Sequence, residues 1–390
     1  MKNNITILGG AGHIGLPLAL LFSEQGYKVN ILDKNRKNLA KIKQKIMPFK
    51  EKNAQTILNT SINKKLIILS DNIKGIKING PIVICIGTPV DEYGNPNLKL
   101  IFDCIDEIKS KIKNNLLIFR STLSPGTSRL IYDYLTKHKI TKNVSFCPER
   151  VLQGKSIEEI KDLPQIVSAF SKKAEKLSKN LFKIIANEMI ICKPEEAELA
   201  KLFTNSFRYI NFAIANQFYN ISEFSNQNFN NILKIMKYKY PRMENIPSAG
   251  FAAGPCLYKD TLQLASFCKN NFSLGHASLN INEGFVFTII EKIKKLPNFK
   301  KLNIGLLGMA FKPNIDDNRT SLSYKLKNHL KYHVRNIYTH DPYVKNDKDL
   351  KSFNYVYKNS DILIICVPHD YYSKINFNQK KIIDVWGKFI

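Results

Sequence analysis

Residues Asn4–Asp33 read "NITILGGAGHIGLPLALLFSEQGYKVNILD", and this stretch decides the fold. Ile5–Leu8 suits a buried strand, Ile14 to about Gln25 a helix, and Lys28–Leu32 a second strand ending in Asp33. Gly10-x-Gly12-x-x-Gly15 falls at the strand-to-helix turn. Alone that spacing says little. In this βαβ setting its glycines permit a tight turn, approach of a pyrophosphate and close packing of helix on strand. Gly10, Gly12, His13, Ile14 and Gly15 are therefore candidate cofactor-binding residues. The helix N-terminus would offer amide hydrogens and positive dipole to the pyrophosphate. Asp33 stands 18 residues after Gly15, where a carboxylate can hold a ribose 2′-hydroxyl and favour NAD over NADP. Lys34, Arg36 and Lys37 follow at once and could soften that preference.

Further buried strands are expected at Leu66–Leu69, 81–87, 116–122 and 143–147, separated by helical segments. That alternation predicts a parallel, doubly wound sheet, in which ligands sit at the carboxyl ends of strands. Thr88 with Pro89, Ser121 with Thr122, and Glu149 with Arg150 fall at those ends. After Pro297 a second set of strands is expected at 301–308, 334–341, 361–367 and 381–386. It lacks the glycine fingerprint but carries a charged loop, "AFKPNIDDNRTS", after its first strand. Lys312 and Arg319 lie in that loop, and an arginine in so lysine-rich a chain suggests a need for a planar fork.

Between the two sets, Glu195 to Phe224 has no Gly or Pro, and its periodicity predicts one long helix entered at Pro194. Lys201, Asn205 and Arg208 are spaced to share a face. Asn205 is a poor residue for a helix interior, and Asn211 and Asn216 continue a polar seam. A solvated stripe is the plain alternative. Beyond the helix, "AGFAAGPCLYKDT" (249–261) sets Cys256 among small residues beside Lys259 and Asp260. Read alone, Cys256 is a small buried residue and Asp260-x-x-Gln263 a capping box. A helix N-terminus and a nearby lysine would instead favour its thiolate.

The bulk composition excludes several classes. The 390 residues exceed one ordinary core. The net charge of +27 is spread over almost every segment, without a zinc-finger or RNA-binding signature, so nucleic acid is not the expected partner. An electropositive surface would instead gather an anionic small substrate. Seven cysteines without a CxxC pair suit neither a disulfide framework nor structural zinc and fit a reducing cytoplasm. The apolar run from Ile5 to Phe22 is broken by four glycines and His13, so neither a signal peptide nor a membrane span is expected.

Taken in order, "GGAGHIGLPLA", "GTPVDEYGNPNL", "STLSPGT", "PERVLQGK", "AELAKLFTNSFRYINFAIANQF", "GPCLYKD", "GLLGMAFKPNIDDNRTS" and "THDPYV" resemble the UDP-glucose/GDP-mannose dehydrogenases. The resemblance spans nearly the whole chain. It implies two Rossmann-like doubly wound parallel sheets joined by a long central helix. The implied domains are 1–193 for NAD, 194–296 for dimerisation and catalysis, and 297–390 for the nucleotide sugar. It implies oxidation of the sugar's C6 alcohol to a carboxylate by two NAD+ in turn, on a UDP-sugar, by a homodimer. Cys256 matches the family nucleophile, Lys201 and Asn205 the pair that polarises the reacting oxygens, and Asp260 and Thr122 the residues arranging a hydrolytic water. Glu149 matches the carboxylate implicated in proton transfer during hydrolysis. Lys259, Arg150, Phe251, Arg208 and Lys312 are implied substrate contacts, and Arg319 lies near nucleotide and cofactor. The chain departs from the pattern at an extra residue and Pro255 before the thiol, at Arg120, and at Gln153. Two other readings stay open at this point: a one-step dehydrogenase of the hydroxyacid or 6-phosphogluconate type, and an inactive NAD- and sugar-binding protein.

Overall fold

A computed structural model describes residues 3–91, 94–112, 114–269, 271–377 and 379–389. Glu92 and Tyr93 of "GTPVDEYGNPNL" lie outside them. The chain forms two compact units, Met1–Phe203 and Thr204–Ile390, whose boundary falls within one helix.

The first unit is built on β1 (Asn4–Leu8), β2 (Lys28–Leu32), β3 (Ile67–Ser70), β4 (Ile82–Ile84), β5 (Leu117–Phe119), β6 (Val144–Phe146), β7 (Gln165–Ala169) and β8 (Met189–Cys192). Their order in the sheet is β3-β2-β1-β4-β5-β6-β7-β8. The connecting helices are α1 (Gly15–Glu24), α2 (Arg36–Lys43), α3 (Ala54–Asn63), α4 (Lys99–Ile108), α5 (Thr127–Lys137), α6 (Ser156–Asp162) and α7 (Lys172–Phe182). Strands β1 to β6 run parallel, with the crossover at β1/β4 that opens a cleft at their carboxyl ends. Both faces are covered by helices, which is why the strands read as continuous apolar runs.

The strands expected from the sequence are all parallel, and the sheet continues past them. Strands β7 and β8 extend it beyond the expected set, and β7 pairs antiparallel with β6 through Ser145–Ala169 and Phe146–Ser168. The connection from β6 holds only the seven-residue α6. Edge strand β8 leaves Ile190 and Ile191 exposed, so its burial pattern is weak in the sequence.

Helix α8 (Pro194–Phe224) runs 31 residues from the first unit into the second, as the periodicity predicts. The second unit adds α9 (Phe229–Lys237), α10 (Leu257–Phe267), α11 (Ser273–Lys294), β9 (Asn303–Leu307), α12 (Leu322–Leu330), β10 (Asn336–His340), α13 (Phe353–Asn359), β11 (Ile362–Ile365) and β12 (Lys381–Asp384). Its four strands are all parallel in the order β10-β9-β11-β12, a smaller doubly wound sheet. The core beneath it takes Tyr219 from α8 and Phe285, Val286 and Ile289 from α11. Among the described residues no helix is long and apolar enough to cross a membrane.

Candidate functional site

In the first unit the turn between β1 and α1 behaves as its glycines predict. A Cβ on Gly15 would lie 2.3 Å from the Gly9 carbonyl oxygen, so helix and strand approach more closely than any side chain allows. A Cβ on Gly12 would meet nothing nearer than that same oxygen, at 3.4 Å, which leaves the face of the turn open for a phosphate. Gly10 is packed beneath, against Ile31. Asp33, half-buried at the end of β2, accepts from Ala11 N (2.9 Å) and Asn35 N (2.8 Å). The His13 ring sits over Phe49, with centroids 4.0 Å apart, and Gln153 reaches its Nδ1 at 3.1 Å. These residues fit a dinucleotide.

At the carboxyl ends of β4 and β5, Thr88 Oγ1 donates to the Thr122 carbonyl (2.7 Å) and Ser121 Oγ to that of Ile86 (2.6 Å). Pro89 is exposed beside them. After β6, Glu149 pairs with Lys201 of α8 at 3.0 Å, and both side chains are nearly buried. A cation so placed can polarise an oxygen, and its carboxylate partner can take up a proton. Arg150 instead donates to the Pro164 carbonyl (2.6 Å). Arg120 is 3% exposed, its guanidinium spent on Gln165 Oε1 (2.7 Å) and the Cys147 carbonyl (3.3 Å), so it packs within the sheet.

The sequence did not single out Glu198, one turn before Lys201. Fully buried, it accepts from Gly126 N (2.7 Å) and Ser128 N (2.6 Å) and so caps α5. Burial raises its pKa, and those bonds oppose the rise. Glu51 caps α6 in the same way through Gly154 N, Ser156 Oγ and Ile157 N. A carboxylate far in sequence from the helix it caps leaves no local signature.

In the second unit Cys256 occupies the N-cap position of α10 and is the one exposed thiol of seven. Burial pushes the thiols of Cys85, Cys104, Cys147 and Cys366 up to about 12, so those four are inert. Asp260 does not form the expected capping box. Its backbone N–H already donates to the Cys256 carbonyl (2.8 Å), placing it inside the helix. Its side chain turns inward, accepting from Asn205 Nδ2 (2.6 Å) and pairing with Lys259 Nζ (2.7 Å). Arg319 forks onto Asp317 (2.6 Å), which raises its pKa, and it feels the Cys256 thiol electrostatically. Lys312 is half-buried in the same loop.

Two other expectations do not match the geometry. Phe251 is 2% exposed and packs against Phe285, so its ring serves the core and not a ligand surface. Arg208 is exposed; the buried seam of α8 continues from Asn205 to Tyr209 and Asn216 instead. Asn211 is also outside it, its amide turned back onto the Phe207 carbonyl.

Family models cover most of this chain. They are the NAD binding domain (residues 3–186), the central domain (195–284) and the UDP binding domain (305–389) of the UDP-glucose/GDP-mannose dehydrogenase family. The chain belongs to that family. It is an NAD-dependent nucleotide-sugar dehydrogenase. A UDP-N-acetyl-D-mannosamine dehydrogenase of Methanocaldococcus jannaschii is 28% identical over 97% of this chain and 88% of its own length. A UDP-glucose 6-dehydrogenase of Rickettsia bellii is 26% identical, over 93% and 85%. Among solved structures, a UDP-D-ManNAc dehydrogenase from Pyrococcus horikoshii superposes with a TM-score of 0.89 at 26% identity, covering 99% of this chain and 96% of that one.

Proposed function

We propose that this enzyme oxidises the C6 alcohol of a UDP-linked hexose or N-acetylhexosamine to the carboxylate, through a covalent adduct on Cys256. The observation that carries the reading is the exposed Cys256 thiol at the start of α10, in the segment that also holds Asp260, Asn205 and Lys259 in one polar cluster. A single oxidation to an aldehyde or ketone has no use for such a thiol. The UDP binding domain and the two kinds of relative support a UDP-sugar.

The Gly10–Gly15 turn and Asp33 would hold NAD+, which would supply the hydride acceptor for each of the two oxidations. The protein does the rest. Glu149 takes the alcohol proton, with Lys201 beside it holding the oxygen. The Cys256 thiolate adds to the C6 aldehyde, and the Lys201 ammonium and Asn205 amide stabilise the oxyanion of the thiohemiacetal. Loss of the second hydride leaves a thioester. Water oriented by Asp260 and Thr122 attacks it, the carboxylate forms and the thiolate departs. One alcohol, two NAD+ and one water give one carboxylate, two NADH and three protons. Lys259, Lys312, Arg150 and Arg319 would each have to exchange an internal partner for the nucleotide sugar's phosphates in order to hold it.

Incubation with a panel of UDP- and GDP-sugars, reading NADH yield and product mass together, tests this. Two NADH per uronate are expected, with Cys256→Ala abolishing uronate. One NADH with a stable aldehyde or ketone, or uronate formation unchanged in Cys256→Ala, would overturn it.

The enzyme would work as a homodimer. Phe207, Ile214, Phe218 and Ile221 form an exposed apolar stripe along α8 at helical spacing, of a kind that a second copy would cover. Light scattering should give twice the chain mass, and Phe207→Glu should give the monomer.

A further inference from the structure

Two asparagines of α8 hold the two flanks of the segment that carries Cys256. Asn205 Nδ2 donates to Asp260, four residues after the thiol. Asn216 grips Gly250, six residues before it, in both directions: Nδ2 donates to the Gly250 carbonyl (3.1 Å) and Oδ1 accepts from Gly250 N (2.8 Å). Those are the two bonds a neighbouring strand residue would make. Asn205 and Asn216 stand eleven residues apart, about three turns, so they project from one side of the helix.

Nothing in this grip is slack. Asn216 is fully buried, and Asn282 of α11 completes its amide: Asn282 Oδ1 accepts from Asn216 Nδ2 (2.9 Å) while Asn282 Nδ2 donates to the Tyr209 carbonyl (2.9 Å). The network assigns the amide orientation, since Gly250 N–H can meet only an oxygen. The chain's single tryptophan closes the other side. A Cβ on Gly250 would lie 2.3 Å from the Trp386 ring, which is tethered by Nε1 to the Cys366 carbonyl (2.9 Å). Nearer the thiol, Gly254 at φ +106° lies against the Phe311 ring.

An asparagine is a poor helix-interior residue, and a buried amide costs stability unless every polar atom is paired. An apolar side chain would fill this place at less cost but could not bind a backbone both ways. We propose that Asn216 is a positioning residue for Cys256, fixing the loop 249–256 so that the thiol stays at the start of α10. The proposal rests on the reading of Cys256 as the nucleophile. It extends the reaction's machinery to a fully buried residue whose amide is taken up by Gly250 and Asn282.

The test compares wild type with Asn216→Ala by iodoacetamide alkylation of the full-length protein. Labelling of the Cys256 peptide is followed by mass spectrometry from pH 6 to 9. Half-buried Cys268, at the far end of α10, is the internal reference. Calorimetry with UDP and with NAD+, and NADH formation, complete the set. Asn216→Ala should slow Cys256 labelling at least threefold relative to Cys268 at pH 7 and move its pH midpoint upward. Turnover should fall tenfold or more, while UDP and NAD+ affinities stay within twofold. An unchanged or faster labelling ratio would overturn the proposal. So would parallel loss of both affinities with activity, because Asn216 would then hold the unit as a whole. Should Asn216→Ala be insoluble, Trp386→Phe is expected to slow labelling about twofold, and no change there refutes the proposal equally. Labelling needs no sugar, so it reads the loop even if wild type forms no uronate, an outcome that would count against the proposed reaction alone.

Discussion

The two sheets place an aspartate at the same topological point and use it in opposite ways. Asp33 follows β2, the neighbour of β1; Asp341 follows β10, the neighbour of β9. Each reaches across to the backbone of the loop that leaves the first strand, Asp33 to Ala11 and Asp341 to Met309 and Ala310. Asp33 is half-buried and takes two backbone donors, so its carboxylate keeps capacity for a ligand. Asp341 is buried and saturated. Its Oδ2 accepts from Met309 N, Ala310 N and His369 Nε2, and its Oδ1 from Tyr343 N and Val344 N. His369 is fully buried and its Nδ1 accepts from Asn314 N, so three loops at the sheet's carboxyl edge meet on one ion. The carboxylate at this position keeps capacity for a ligand in one sheet and is a saturated clasp in the other.

The largest effect that would break this contrast is at Asp341. Asp341→Ala leaves four backbone N–H groups and the His369 ring without their acceptor, each worth about 1–3 kcal/mol when buried unpaired. Allowing for relaxation, a loss of about 3–5 kcal/mol is expected, lowering Tm by roughly 10 °C. Burial alone would push the Asp341 carboxyl up, but His369 and the backbone donors pull it down to about 2. Its folded pKa thus lies below the unfolded value of about 3.9. The stabilisation is fully present above pH ~4 and is lost as pH falls from there through 2. Denaturant melts of Asp341→Asn at pH 7 and pH 3 should show a smaller difference than wild type does. An unchanged Tm in Asp341→Ala would mean the clasp holds nothing.

The sequence made the glycine turn beside Asp33 legible and left the clasp hidden, for a physical reason. A phosphate-binding turn needs glycines at set spacings, and those can be read without a structure. The long helix was equally plain, since thirty residues of unbroken periodicity admit little else. "THDPYV" was visible as a motif, but the work of Asp341 depends on donors from Met309 and His369, dozens of residues away. The same holds for Glu198 and Glu51, which cap helices distant in sequence. Asp260 went astray in the opposite direction: a local capping pattern was present, yet α10 begins earlier and tertiary contacts claim the carboxylate. Arg208 shows how coarse face assignment is, because a three-residue step carried it past the edge of the seam.

The smaller effect sharpens the contrast from the other side. The role we propose for Asp33 is to hold the adenosine ribose, so Asp33→Ala should spare the fold. Of its two backbone donors, Asn35 N is exposed and can turn to water, whereas Ala11 is buried in the turn, so a cost of about 1–2 kcal/mol is expected, well short of the loss in Asp341→Ala. Cofactor choice should change instead. The carboxylate accepts a 2′-hydroxyl and repels a 2′-phosphate, while Lys34 and Arg36 pair with Glu107 (3.1 Å) and Asp71 (2.8 Å) at exposed positions. Such exposed pairs are worth at most about 1 kcal/mol, so both cations remain free to turn toward a phosphate. The ratio of kcat/KM for NAD+ over NADP+ should therefore fall about tenfold to a hundredfold in Asp33→Ala, some 1.4–2.7 kcal/mol, with UDP affinity unmoved. If Asp33→Ala instead melts early and keeps its NAD+ preference, Asp33 is a second clasp, and the two sheets are alike after all.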